Sequence, residues 1–344
     1  MSLRTASEPA HIVLSHWVHP EITQLLQTHG VVTANPARES WPRDELLAKT
    51  RTAHALMAFM PDRIDEEFLL ACPQLRIIAG TFKGFDNVDV AACSRRHVWV
   101  TIVPDLLTEP TAELALALLL ALLRRVLPGD RRIRERKFNG WRPVLYGQSL
   151  RGAPVGIIGM GAVGQSVAQK LNVFSPIVRY YDPRPLSSAD ERRLNVASTS
   201  LDDLLAWAGV LIVSLPLTET SLNLLNSRRL AQIRPGAYLV NVGRGSVVDE
   251  EAVAAALSRG HLAGYAADVF AFEDLSRTDR PTQIPAALLD NTASTVLTPH
   301  LGSAVDDVRR LIALSAAENI IDWLQGRSPR HAVNLPSRTV ANEP

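Results

Sequence analysis

The sequence predicts an α/β protein made of two Rossmann-like, doubly wound domains, one inserted into the other. Three observations predict it. Over the first hundred residues, short apolar runs alternate with helical segments at α/β spacing. From Val155 the alternation starts afresh around a glycine-rich turn, Gly159-Met160-Gly161-Ala162-Val163-Gly164. After the last strand-like run comes a long amphipathic stretch, Ala304 to Gln325, a helix able to return to the first unit and split it. The expected division is 1–107 plus 308–344 for the split domain and 108–307 for the inserted one.

In chain order, residues 11–15 read as a strand, 21–28 as a helix, 36–42 as a loop and 43–52 as a helix. Ala55 to Met60 is a buried strand closed by Pro61-Asp62, and Asp65 to Ala71 a helix. Strand Leu75 to Ala79 leads into the loop Gly80 to Asn87, and Val98 to Ile102 ends the set. Thr111 to Val126 is a long apolar helix with Pro110 at its start. Asp130 to Gln148 is basic and aromatic, and reads as a solvated helix face plus a loop in which Trp141 and Tyr146 cover a pocket.

Val155 to Ile158 is a buried strand, and the glycines that follow have separate physical jobs. Gly159 permits the tight turn, Gly161 lets a pyrophosphate approach the backbone, and Gly164 lets helix pack on strand. The phosphate charge then meets the free N–H groups of a helix N-terminus. A second strand ends at Asp182, 18 residues beyond Gly164, where a carboxylate accepts from an adenosine ribose. The inserted domain is therefore the dinucleotide-binding one, and the split domain, which lacks the fingerprint, is left to substrate. Further strands are expected at 210–215, 237–242, 264–267 and 295–297, with helices at 222–231 and 249–258. The connection 272–294 is long, polar and proline-bearing, which points to function or flexibility.

Composition narrows the class. The 344 residues are 47% hydrophobic and 21% charged, with net charge +1, so neither disorder nor a nucleic-acid polyelectrolyte is indicated. The two cysteines, Cys72 and Cys93, have no metal-ligand spacing, no metal is expected, and both read as inert thiols. The first residues lack the apolar core of a signal peptide, and Leu114 to Leu123 falls short of the roughly 20 residues that span a bilayer. A cytoplasmic protein with no nucleic-acid or membrane partner is expected.

Three reactive groups sit just past strand ends of the inserted domain, where open α/β sheets bind ligands: Arg244, Glu273 and His300. A guanidinium holds an oxyanion through paired hydrogen bonds. An imidazole moves a proton, and a neighbouring carboxylate orients it. Together they suit hydride transfer coupled to proton transfer. Asp268, at another strand end, is read either as a turn cap or as part of the site.

On these residues, with Leu215-Pro216-Leu217-Thr218, Asn241 to Glu250, Ala267 to Phe270 and Thr298-Pro299-His300, the chain resembles the NAD-dependent D-2-hydroxyacid dehydrogenase superfamily over essentially its whole length. The resemblance implies Arg244, Glu273 and His300 as catalytic residues and Asp268 on the nicotinamide carboxamide. It places Thr111, Val242, Gly243, Arg244, His300, Ser303, Leu215 and Pro216 along the cofactor, beside Gly159, Gly161, Ala162, Val163, Gly164, Asp182 and Arg184. It also implies a homodimer through the NAD-binding domains. Met57 to Arg63, Lys83 to Asn87, Val103 to Thr108 and Gly264 to Phe270 are similar to the phosphite-oxidising branch of that superfamily.

That likeness implies oxidation of the inorganic anion phosphite to phosphate with NAD. Lys83 would act beside Arg244, since two cations match a dianion better than one. His300 would be the base for an attacking water or would orient the substrate, and both roles stay open. Gly84, Met60, Arg309, Trp141 and Tyr146 complete the implied substrate pocket. Asp182 favours NAD, while Arg184 two residues on allows some NADP. The alternatives are a 2-oxo acid reductase of the glyoxylate or hydroxypyruvate type with the same trio and, more remotely, a non-catalytic NAD-sensing regulator.

Overall fold

The computed structural model describes residues 9–336, so most of the N-terminal stretch lies outside the described residues. The chain divides into two units, Met1–Leu107 with Val305–Pro344, and Thr108–Ala304. Each is a parallel sheet flanked by helices, so the second unit is inserted into the first.

The first unit has strands β1 (Ala10–Leu14), β2 (Gly30–Ala34), β3 (Ala55–Ala58), β4 (Ile77–Gly80) and β5 (Trp99–Thr101), in the order β2-β1-β3-β4-β5. All pairs are parallel. β3 and β4 are buried throughout, as the unbroken apolar runs of a sheet covered on both faces require. The helix Asp306–Leu324 returns to this sheet and packs Ala313, Ala316, Ala317 and Ile320 with Ile12, Leu14, Met57 and Ile77. Small residues on that helix let it lie close to the strands. The structure adds two elements the apolar pattern does not show. β2 is an edge strand with half-exposed faces, so it lacks an unbroken apolar run. The helix Val90–Arg95 has only six residues, too few for a period, and is marked by Asp89 accepting from Ala92 N at 2.8 Å.

The second unit has β6 (Pro154–Ile158), β7 (Ile177–Tyr181), β8 (Val196–Ser198), β9 (Val210–Val213), β10 (Ala237–Asn241), β11 (Leu262–Ala267) and β12 (Thr295–Leu297). Their order is β12-β11-β10-β9-β6-β7-β8, all parallel, with the strand order reversing between β6 and β9. Ligands of such sheets sit outside the carboxyl ends at that reversal. The helix Thr108–Leu123 buries Leu118, Leu119 and Leu122, with Pro110 in its first turn, where a missing N–H costs nothing.

Three expectations in this unit are corrected. β8 and the helix Leu201–Trp207 stand where the sequence shows only connection, because each is short; Ser200, accepting from Asp203 N at 3.2 Å, marks the helix. The helix expected at 222–231 is only Ser227–Gln232, because Asn223 turns left-handed (φ 49°) and Asn226 caps the later start. The connection 272–294 contains the helix Ala286–Asp290, pinned by buried Leu288. The basic stretch agrees with its reading as a solvated helix face plus a loop: the helix Val126–Arg134 buries none of its residues, and 135–149 has no regular structure.

Burial pushes the Cys72 thiol to about 11 and the Cys93 thiol to about 12, so both are held as unreactive thiols. Among the described residues, no helix is long and apolar enough to cross a membrane.

Candidate active site

At the strand reversal the fingerprint takes the shape its glycines permit. Gly159 lies at φ 99°, and a Cβ on Gly164 would stand 2.1 Å from the Gly159 carbonyl oxygen, so only glycine fits at either position. A Cβ on Gly161 would meet nothing within 4 Å, leaving open space in front of the helix Ala162–Leu171. No side chain caps that helix, so its first N–H groups remain for an anion. Asp182 Oδ2 accepts from Met160 N at 2.8 Å and Oδ1 from Arg184 N at 2.8 Å, which fixes the carboxylate beside the turn. Leu215 and Gly243 join this edge. A Cβ on Gly159 would lie 3.0 Å from the Leu215 side chain, and one on Gly243 would lie 2.5 Å from the Leu215 oxygen. These cradles fit a dinucleotide.

Arg244 follows β10 in a loop braced by Asn241, whose Nδ2 donates to the Arg244 oxygen at 3.0 Å and whose Oδ1 accepts from Gly243 N at 3.1 Å. The Arg244 guanidinium is half-buried and donates to the Gly243 oxygen at 3.0 Å. Gly245 then meets the loop after β11 backbone to backbone, since a Cβ there would fall 1.9 Å from Phe270 C. The arginine loop and the Glu273 loop are therefore one packed unit.

Glu273 Oε1 accepts from Phe270 N at 2.8 Å, and Oε2 lies 2.7 Å from His300 Nδ1. An ionised carboxylate only accepts, so Nδ1 carries the proton and Nε2 is the working nitrogen. His300 itself adopts φ 55°, a strained conformation for a non-glycine residue. The strain is held by Asp268. Its Oδ1 accepts from Thr298 Oγ1 at 2.7 Å and Leu301 N at 2.6 Å, and its Oδ2 accepts from Gly302 N at 2.8 Å. His300 N donates to the Asp268 carbonyl at 2.9 Å. Asp268 is 2% exposed, and burial raises its carboxyl against the lowering effect of those hydrogen bonds. Thr111 closes the same corner, since a Cβ on Gly302 would lie 3.1 Å from Thr111 Oγ1.

In the first unit, Met60 follows β3 in a turn clamped by Asp62, which accepts from Phe59 N at 2.7 Å and from the Ser15 hydroxyl. The Arg309 guanidinium stands 5.5 Å over the Phe59 ring and donates to the Thr81 oxygen at 3.4 Å. Arg309 thus ties the turn of Met60 to the loop of Lys83 and Gly84. Lys83 is half-buried. Trp141 and Tyr146 are 82% and 74% exposed. Two residues escape a reading of the sequence: Asp274, whose Oδ2 accepts from Ser246 N at 2.7 Å, and buried Glu250, whose Oε1 accepts from Ala271 N at 2.7 Å. Glu250 stands next to Asp249 at a helix start, so in sequence it is indistinguishable from an ordinary first-turn acid.

Residues 116–302 match the family model described as D-isomer specific 2-hydroxyacid dehydrogenase, NAD binding domain. A glyoxylate reductase of Pyrococcus furiosus is 38% identical over 298 residues, covering 85% of this chain and 86% of that protein. One of Aeropyrum pernix is 37% identical over 328 residues, covering 94% and 95%. Among solved structures, a protein from Thermus thermophilus superposes with TM-score 0.83 at 35% identity, covering 94% of this chain and all of that one. Curated relatives at 34–38% identity carry the name glyoxylate reductase, which overturns the expectation that this chain oxidises phosphite. The physical fault lies in the weight given to Lys83. One ammonium on a half-buried loop serves a carboxylate as well as a dianion, and Arg244, Glu273 and His300 suit either reaction.

Proposed function

Because the chain belongs to the D-isomer specific 2-hydroxyacid dehydrogenase family and carries its NAD-binding domain, we propose that it reduces a short 2-oxo acid, glyoxylate foremost, to the 2-hydroxy acid. The His300–Glu273 pair at 2.7 Å carries this reading, because a carbonyl reduction needs one proton delivered to oxygen. The bound reduced dinucleotide supplies the hydride. Gly161 and the N-terminus of the helix Ala162–Leu171 hold its pyrophosphate, and Asp182 its ribose. His300 Nε2 gives its proton to the oxo oxygen, while Glu273, acting through Nδ1, stabilises the imidazolium that precedes transfer. Arg244 holds substrate oxygens, and its charge offsets the negative charge growing on the oxo oxygen. Asp268 has acceptor capacity beyond its three hydrogen bonds and takes the carboxamide as well.

Lys83 and the backbone of Gly84 bind the substrate carboxylate, Met60 lines the pocket, and Arg309 positions both of their loops. Thr111, Ala162, Val163, Leu215, Pro216, Val242, Gly243 and Ser303 line the cofactor. Exposed Phe138, Trp141 and Tyr146 give the NAD-binding unit an apolar surface suited to a second copy of the chain.

The test is loss of reduced-cofactor absorbance with glyoxylate, hydroxypyruvate and pyruvate. Turnover is expected, faster with NADH than with NADPH because Asp182 repels a 2′-phosphate, with Arg184 sustaining a slower NADPH rate. No turnover with any 2-oxo acid overturns the proposal. Lys83→Ala is expected to raise KM for the 2-oxo acid roughly tenfold, the loss of one charge-assisted hydrogen bond, and to leave KM for NADH unchanged. An unchanged substrate KM removes Lys83 from carboxylate binding.

A further inference from the structure

We propose that Glu250 is a positioning residue for the His300–Glu273 pair, tying down the loop that carries Glu273. The inference rests on the reductase reading above. Glu250 opens the helix Glu250–Ser258, yet that helix is already capped by Asp249, which accepts from Ala252 N at 3.0 Å. The Glu250 side chain is therefore not needed as a cap, and it is buried, with the residue only 5% exposed. Its Oε1 accepts from Ala271 N at 2.7 Å, and Ala271 begins the short turn Ala271–Glu273.

The neighbouring amides are taken in the same manner, Phe270 N by Glu273 itself and Ser246 N by Asp274. Arg280 Nε donates to the Phe272 oxygen at 3.0 Å from the loop that follows, and Glu250 anchors the turn from a helix. Removing it would free Ala271 N while Gly245 still presses on Phe270 and Ala271 from the other side.

The surroundings also give the anchor a charge role. Glu250 Oε2 is buried with no hydrogen-bond partner among the described residues. Glu251 on its own helix, Glu273 and Asp274 in the loop and the Tyr265 hydroxyl on β11 all face it, and Arg277 reaches this corner through Ser246 Oγ at 2.9 Å. Burial first, then the neighbouring acids, push the Glu250 carboxyl to about 7. Oε1 can accept from Ala271 whether or not Oε2 is protonated, so the tie survives ionisation. As pH rises through that value a negative charge appears behind Glu273 and helps it hold the imidazolium.

Two variants separate tie from charge. Glu250→Asp keeps the charge but, one methylene shorter, cannot reach Ala271 N. Amide hydrogen exchange in 270–274 is expected to speed up roughly tenfold, the worth of one lost hydrogen bond, and kcat to fall while KM for NADH holds. Glu250→Gln keeps the acceptor and removes the charge. Exchange in 270–274 should match wild type, while the alkaline limb of the pH–rate profile for reduction moves to lower pH by roughly half a unit or more. Wild-type exchange in Glu250→Asp, or a Glu250→Gln profile superimposable on wild type, overturns the proposal. Exchange needs no substrate: faster exchange in Glu250→Asp, together with a wild-type protein that is inert towards all 2-oxo acids, sinks the reductase reading and leaves the tie standing.

Discussion

Replacing His300 with glutamine is expected to lower kcat for 2-oxo acid reduction by roughly 10²–10⁴-fold, the usual worth of a positioned general acid, while NADH binding is retained. Glutamine approximates the length of the imidazole and can donate to Glu273 in place of Nδ1, whose partner oxygen accepts at 2.7 Å in the native pair. It cannot release a proton at the other end. The backbone at 300 is left-handed, so the replacement must tolerate that conformation, and an unbranched side chain does so better than a β-branched one. NADH fluorescence titration checks that the cradle at Gly159, Gly161 and Gly164 is intact. Stopped-flow or steady-state rates then read the proton step alone. A variant within threefold of wild type would show that the proton reaches the oxo oxygen by another route and that the His300–Glu273 pair is structural.

The same pair shows how far residues in sequence speak for a site. His300 and Glu273 are 27 residues apart, and what links them before any coordinates is position past strand ends in a domain with a glycine fingerprint. That logic is strong because each strand end delivers its next residues to one edge of a parallel sheet. Arg244 and Asp182 likewise stand just past the ends of β10 and β7. That logic fails where a structural role comes from burial contributed by another segment. Glu250 and Asp274 look like surface acids in sequence, and only the packing of Gly245 against Phe270 makes them anchors.

Fold legibility follows a similar division. Buried strands such as β3 and β9 are continuous apolar runs and are visible as such, whereas β2 and β8 at the sheet edges are paired on one side only and have mixed faces. Short helices such as Val90–Arg95 and Leu201–Trp207 carry their signal in the cap, Asp89 or Ser200, and not in periodicity. Substrate choice is the least legible feature. Lys83 is a single side chain whose charge is compatible with two kinds of anion, so its chemistry does not choose between them, and the relatives at 37–38% identity are named glyoxylate reductase.

Asp268→Ala is expected to be the most destabilising single change at the site, at about 3 kcal/mol, with a loss of kcat of tenfold or more. The carboxylate accepts from Thr298 Oγ1, Leu301 N and Gly302 N, and alanine leaves all three donors without it. Each stranded donor costs about 1–3 kcal/mol if it stays buried. Against that, the variant is relieved of a buried carboxylate, whose desolvation is the largest influence on its raised pKa. The sign with pH follows from that direction. A carboxyl raised on folding contributes stability fully below the unfolded-state value and loses it as pH rises through the folded one. The gap between wild type and Asp268→Ala is therefore widest in acid and narrows towards neutral pH. Asp268→Asn keeps one acceptor oxygen for Thr298 and Leu301 but turns an amide donor towards Gly302 N, so its stability falls between the two. Denaturant unfolding of the three proteins at acidic and neutral pH measures all of this. Because His300 keeps its strained backbone only while the turn 298–302 is held, kcat should fall with stability in the order wild type, Asn, Ala. An alanine variant as stable as wild type would mean that the turn is held by its own sequence, Thr298-Pro299-His300, and that Asp268 is free to serve the cofactor alone.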